Sequence, residues 1–159
     1  MARILEVLTL NVAVRDLAAA VAKYQALGLT PLPAAHMPDP PAQITDVSIP
    51  LGAHGHLSLI AATDPASPVA RFIAKRGEGA YSLAVRVDNL RDAMDEWSKA
   101  GLRWVLPEPY EFPPNTPAVQ YAPERLLANW VAPSSLNGLM LEVFEFQGHH
   151  REAGKEPAL

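Results

Sequence analysis

The sequence predicts an α+β domain assembled from two copies of a β-α-β-β-β unit, and three observations point to it. The segment "LTLNVAVRDLAAAVAKYQALGLTPLP" aligns on "YSLAVRVDNLRDAMDEWSKAGLRWVLP" at an offset of 73 positions, pairing Thr9 with Ser82, Leu17 with Leu90, Tyr24 with Trp97 and Gly28 with Gly101. Each copy opens on alternating, partly β-branched residues (8–14 and 81–87), the period-2 pattern of a half-buried strand. Each copy then continues into apolar residues at helical spacing and ends on a pair of strand-like runs.

The helices are bounded by chemistry legible in the chain. Asp16 and Asn89 are suited to cap helix N-termini, since their side chains can accept from the exposed N–H groups of the first turn. Leu17, Ala20, Val21 and Tyr24, and in the second copy Leu90, Ala93, Met94 and Trp97, then recur on one helical face until Gly28 or Gly101 ends the helix. Tyr24 and Trp97 are expected in the core. "ITDVSIPLGAHGHLSLIAA" reads as a hairpin with strands near 44–50 and 56–61 and a turn around Gly52 to Gly55. "LLANWVAPSSLNGLMLEVFEF" repeats it, with strands near 126–132 and 139–146.

The boundaries follow: module one over 5–62, a linker over 63–78, module two over 79–146 and a tail over 147–159. The linker holds a helix-like apolar pattern at Val69, Phe72 and Ile73. The proline-rich stretches "PLPAAHMPDPPAQ" and "PEPYEFPPNTPA" cannot be regular helices or central strands; they are expected as edge connections or binding loops. The tail has little to bury and is expected to fray.

With 159 residues, 49% of them hydrophobic, the chain can bury one sizeable core. Its net charge of −4 gathers no phosphates, so neither nucleic acid nor an anionic membrane surface is an expected partner. No apolar run reaches the ~20 residues of a bilayer span, and the start "MARILEVLTLNVAVRDL" lacks a signal-peptide pattern, which makes the expected location cytoplasmic. Without cysteine there is no thiolate nucleophile and no Cys-ligated metal. No Gly-rich phosphate loop or dinucleotide fingerprint occurs, so no nucleotide cofactor is expected.

On "NVAVRDL", the linker "SPVARFIAKRGEG" and the closing "NGLMLEVFEF", the chain resembles the vicinal oxygen chelate superfamily, the glyoxalase, bleomycin-resistance and extradiol-dioxygenase group, and within it the methylmalonyl-CoA epimerases. The resemblance implies a curved mixed sheet that forms a cup, a small-molecule ligand and a homodimer. It also implies metal ligands on the four inner strands, which fall here on Thr9, Ser58, Ser82 and Glu142, and a catalytic carboxylate that falls near Pro41. Only Glu142 keeps a ligand's chemistry, so the frame is present without the epimerase's chemical groups.

Neutral hydroxyls bind divalent metals poorly, so no metal cofactor is expected. One alternative is a displaced metal at His56 and Glu142, since His56 shares a strand face with Ser58 and forms an H-x-H pair with His54. A metal-free cavity is the simpler reading: Glu142, its pKa raised by an apolar setting, acts as general acid or base while Thr9, Ser58 and Ser82 orient a small carbonyl, acidic or aromatic substrate. Glu142 can equally be a residue that those hydroxyls merely satisfy. Trp104, Tyr110, Phe112, Tyr121 and Trp130 are candidates to wall the pocket. Strand alternation sends Tyr81 away from Ser82, and of the neighbours Asn129 and Trp130 it admits only one; Asn129 is the expected ligand contact and Trp130 the expected packing residue. Lys75, Arg76 and Arg71 could meet a CoA phosphate or simply be solvated. Three functions compete at this point: a metal-independent isomerase or lyase, a non-catalytic binding protein of the bleomycin-resistance type, and a metalloenzyme with displaced ligands.

Overall fold

The computed structural model describes residues 1–52, 55–114, 116 and 125–147. Module one contributes β1 (Ile4–Ala13), α1 (Leu17–Ala26), β2 (Ala35–Met37), β3 (Ile44–Pro50) and β4 (His56–Ala62). After α2 (Pro68–Arg76), module two contributes β5 (Gly79–Val87), α3 (Leu90–Lys99), β6 (Tyr110–Glu111), β7 (Leu127–Val131) and β8 (Met140–Glu145). His54, Tyr121 and residues 148–159 lie outside the described residues.

Helices α1 and α3 start as their cap residues predict, and α2 starts on a cap of the same kind. Asp16 accepts from the Ala19 N–H at 2.9 Å and Asn89 from the Asp92 N–H at 2.9 Å. Ser67 accepts from the Ala70 N–H at 3.1 Å, with Pro68 in the first helical turn, where a missing N–H does no harm. Gly28 and Gly101, at φ 82° and 92°, supply the left-handed residue that turns the chain out of α1 and α3.

The eight strands form one mixed, curled half-barrel in the order β2-β3-β4-β1-β5-β8-β7-β6. The second half of that order is the first half reversed and advanced by one module, so a pseudo-twofold runs between β1 and β5. Their antiparallel register expresses the same symmetry: Asn11 faces Ser82 and Thr9 faces Ala84. The proline-rich stretches hold β2 and β6, the two edge strands, where a missing N–H is tolerated.

Strand alternation divides each sheet half into two faces. On the convex side Val47, Ile49, Leu57 and Leu59 pack against α1 with Leu17, Val21 and Tyr24. In module two Leu127, Val131, Leu141 and Val143 pack against α3 with Met94 and Trp97. The concave face is therefore left to the other alternate residues, and those line a cavity.

The β1–β5 pairing has three register shifts, and two of them alter this alternation where the strands border the cavity. From Val7↔Val85 to Thr9↔Ala84, β1 advances two residues while β5 advances one; from Asn11↔Ser82 to Val12↔Ala80 the reverse holds. The extra residues are Leu8 and Tyr81, equivalent under the 73-position offset. A bulge places two successive residues on one side of a strand. Hence Leu8 and Thr9 both line the cavity, as do Tyr81 and Ser82, and the expectation that Tyr81 points away from Ser82 is corrected.

Candidate functional site

The concave face encloses a cavity of about 260 Å³. Apolar side chains, among them Ile44, Leu106, Phe112, Leu126, Phe144 and Phe146, make most of its wall, and a polar cluster occupies one zone. Ser58 reaches it from β4 and Glu142 from β8, and the registers Asn11↔Ser58 and Ala84↔Glu142 put these two at equivalent places in their modules. Thr9, Ser58, Ser82 and Glu142 thus converge on one cavity, and His56 lines it too.

Glu142 makes the contacts that organise this zone. Its Oε2 accepts from Asn11 Nδ2 at 3.0 Å, and its Oε1 accepts from Trp130 Nε1 at 3.0 Å. Trp130 stands directly opposite Glu142 in the β7–β8 pairing, which brings its indole to the carboxyl. Asn11 Nδ2 also donates to Ser82 Oγ at 2.8 Å. Thr9, in contrast, turns its hydroxyl to Ser58 Oγ at 3.4 Å. Removal from water pushes the Glu142 carboxyl up to about 7, against the opposing pull of the two N–H donors, and the negative charge of Asp46 adds to the rise. Each oxygen accepts one N–H and so keeps one lone-pair direction for a proton or a ligand.

Asp46 is a second carboxyl on the same cavity, from β3. Burial pushes it up to about 6, with the Ser58 hydroxyl as an opposing hydrogen-bonding neighbour, and its Oδ1 has no partner among the described residues. Tyr81, beside the cavity, is pushed up to about 12 by burial first and by the Glu142 charge second.

Two expected ligand contacts are displaced. Asn129 lies on the convex side, completely buried; its Oδ1 accepts from the N–H of Leu106 at 3.1 Å and of Trp130 at 2.8 Å, and its Nδ2 donates to the Leu106 carbonyl at 3.0 Å. It is a fastener for the 102–106 segment, and the roles expected for it and for Trp130 are exchanged. Trp104 also leaves the cavity: it stacks on Trp97 with ring centroids 5.6 Å apart and donates to the Met94 carbonyl at 3.3 Å. Phe112 lines the cavity, and Tyr110 lines an adjoining groove of about 320 Å³ with His36 and Pro38.

Two contributors escaped the sequence reading, Asn11 and Asp46, and Trp130, a candidate for the pocket wall, was assigned to packing. Asn11 is the one amide within "LTLNVAV", and Asp46 and Ser48 share a strand face, opposite Ile60 and Ser58 of the hairpin partner. Those were usable signals.

The metal that the fold family implies does not suit these residues. The positions corresponding to its ligands hold Thr9, Ser58 and Ser82, and the remaining Glu142 has an N–H donor on each oxygen. One carboxyl among three neutral hydroxyls does not make up the donor set of imidazoles and carboxylates that a divalent ion requires. Among the described residues no group of three or more His, Asp or Glu is placed to hold a metal ion. No helix among them is long and apolar enough to cross a membrane.

The comparisons with known proteins agree with this frame. A search of curated proteins finds no match. A hypothetical protein from Bacillus halodurans superposes with a TM-score of 0.73 at 20% identity, covering 95% of this chain and 99% of its own. Methylmalonyl-CoA epimerase from Mycobacterium tuberculosis gives 0.73 at 23% identity, with 91% and 90% covered. A Streptomyces coelicolor methylmalonyl-CoA epimerase variant in complex with 2-nitronate-propionyl-CoA gives 0.73 at 18% identity, with 92% and 100% covered. These likenesses establish the fold. Residues 10–117 match the family model of the glyoxalase, bleomycin resistance protein and dioxygenase superfamily, and the chain belongs to that superfamily.

Proposed function

We propose that the protein is a metal-independent isomerase or lyase that moves a proton on a small carbonyl or aromatic substrate, with Glu142 as the acid–base group. The observation that carries this is the position of Glu142: a carboxyl in the wall of a mostly apolar cavity, raised to about 7, where it exchanges a proton readily at neutral pH. Asn11 and Trp130 hold the carboxyl in one orientation; Ser82, which accepts from Asn11, has its own O–H to donate to a substrate oxygen, and Thr9 and Ser58 orient the substrate as part of the same polar zone. The protein acts without a metal, in the cytoplasm, and as a homodimer of the kind common in its superfamily.

Proton exchange tests the chemistry without knowledge of the product. Candidate carbonyl compounds are incubated with the protein in D₂O and followed by NMR for deuterium at the carbon beside the carbonyl. Glu142→Gln, nearly isosteric, should slow exchange by about 10²- to 10⁴-fold, the usual contribution of a general acid–base group. Exchange that is unchanged in the variant refutes the role of Glu142.

A binding protein without chemistry is the second reading, favoured by one feature: both Glu142 oxygens already carry N–H donors, as a satisfied structural carboxylate would. Tight ligand binding with no exchange in either protein would select it.

A further inference from the structure

The charges around the cavity carry a conclusion about what it admits. Among the described residues of its lining there is no Lys or Arg. The titratable groups that face it are two carboxyls, Asp46 and Glu142, together with His56 and Tyr81. Two cations stand behind the wall with partners of their own: Arg86 Nε lies 2.7 Å from Glu6 Oε1 with its guanidinium 5.0 Å from the centre of the Phe146 ring, and Arg71, whose charge reaches Tyr81, donates to the Ala66 carbonyl.

Asp46 is the less satisfied of the two carboxyls. Asn11 and Trp130 hold Glu142, while Asp46 Oδ1 has no partner among the described residues. A ligand carboxylate entering this space would meet the two carboxyls, with no Lys or Arg among the described lining residues to offset them, in surroundings of low dielectric. A neutral carbonyl or amide avoids the repulsion, and an amide N–H can also satisfy Asp46.

We infer that Asp46 is a specificity-determining residue that restricts the cavity to uncharged ligands with an apolar or aromatic body and excludes carboxylic acids. This rests on the cavity being the substrate site and narrows the substrate class to neutral compounds. It separates the protein from one methylmalonyl-CoA epimerase of this fold, which is seen in complex with methylmalonyl-CoA, a carboxylate.

The test is a calorimetric titration at pH 8 with 3-phenylpropanamide and 3-phenylpropionate, which match in shape and differ in charge. To accept the anion, Asp46 must first take up a proton, and from about 6 that lowers apparent affinity about 100-fold at pH 8. The amide is therefore expected to bind up to about 1000-fold more tightly than the acid, about 100-fold from Asp46 and about 10-fold from Glu142. Asp46→Asn should reduce that ratio to about 10-fold, the part that Glu142 still imposes from about 7. Amide binding by the variant also reports that the cavity is intact. Three results would overturn the inference: equal affinities in the wild type, an unchanged ratio in Asp46→Asn, or no amide binding by the wild type. Because the readout is affinity, failure of the acid–base role of Glu142 would leave it standing, and the reverse also holds.

Discussion

The raised Glu142 carboxyl has a consequence for stability that can be measured without a substrate. In the unfolded chain the group titrates near 4.5; in the folded protein it titrates at about 7. Between those values the folded state holds a proton that the unfolded state has lost, so stability falls as pH rises through the interval. The contribution is absent below about pH 4.5 and fully unfavourable above about pH 7. The gap, at ~1.4 kcal/mol per pH unit, corresponds to about 3 kcal/mol. Glu142→Gln removes the titration and retains the neutral form's shape. Urea unfolding at 25 °C, for both proteins from pH 4.5 to pH 8, gives the difference in stability at each pH. Asp46 titrates in both proteins, between 3.8 and about 6, so its own effect largely cancels in that difference. The variant should gain on the wild type by about 3 kcal/mol across the range, whatever the offset at pH 4.5. A difference that stays constant with pH would refute a buried carboxyl near 7, and with it the basis for acid–base chemistry at this residue.

Two other substitutions test the neighbours of Glu142. Trp130→Phe removes the N–H donor on Oε1; a hydrogen bond to a charged group contributes ~1.5–3 kcal/mol, so the Glu142 limb of the D₂O exchange pH profile should move about 1–2 pH units to the alkaline side. A limb that stays in place would mean that the indole does not hold the carboxylate. Asn129→Ala strips the Leu106 backbone of both its side-chain partners and should destabilise the fold by about 2–4 kcal/mol in urea unfolding, with exchange per folded molecule retained. Loss of exchange without loss of stability would return Asn129 to the ligand site.

Much of the architecture was legible in the chain because it depends on local periods and on caps. The repeat predicted the pseudo-twofold, period 2 predicted the long strands, and Asp16, Asn89, Gly28 and Gly101 delimited α1 and α3 without reference to any distant residue. The repeat paired Thr9 with Ser82, whereas the grouping of Ser58 and Glu142 with them was what the resemblance to the superfamily implied.

The pairings between strands decided the rest. Whether Leu8 and Tyr81 face the cavity depends on two bulges, which exist only in the register of β1 against β5. Asn129 and Trp130 alternate along β7, but which of them faces inward depends on the alignment with β8 through the connection containing Asn137 and Gly138, both at positive φ. Asn11 and Asp46 come from strands further along the sheet and gather near Glu142 only when it curls, whereas Trp130 meets Glu142 through the β7–β8 register. The sequence by itself determined a twice-repeated sheet module with one surviving carboxyl at its centre. The tertiary structure alone decided which donors hold that carboxyl and which second carboxyl faces the cavity, because register and curl are set by contacts between residues far apart in the chain.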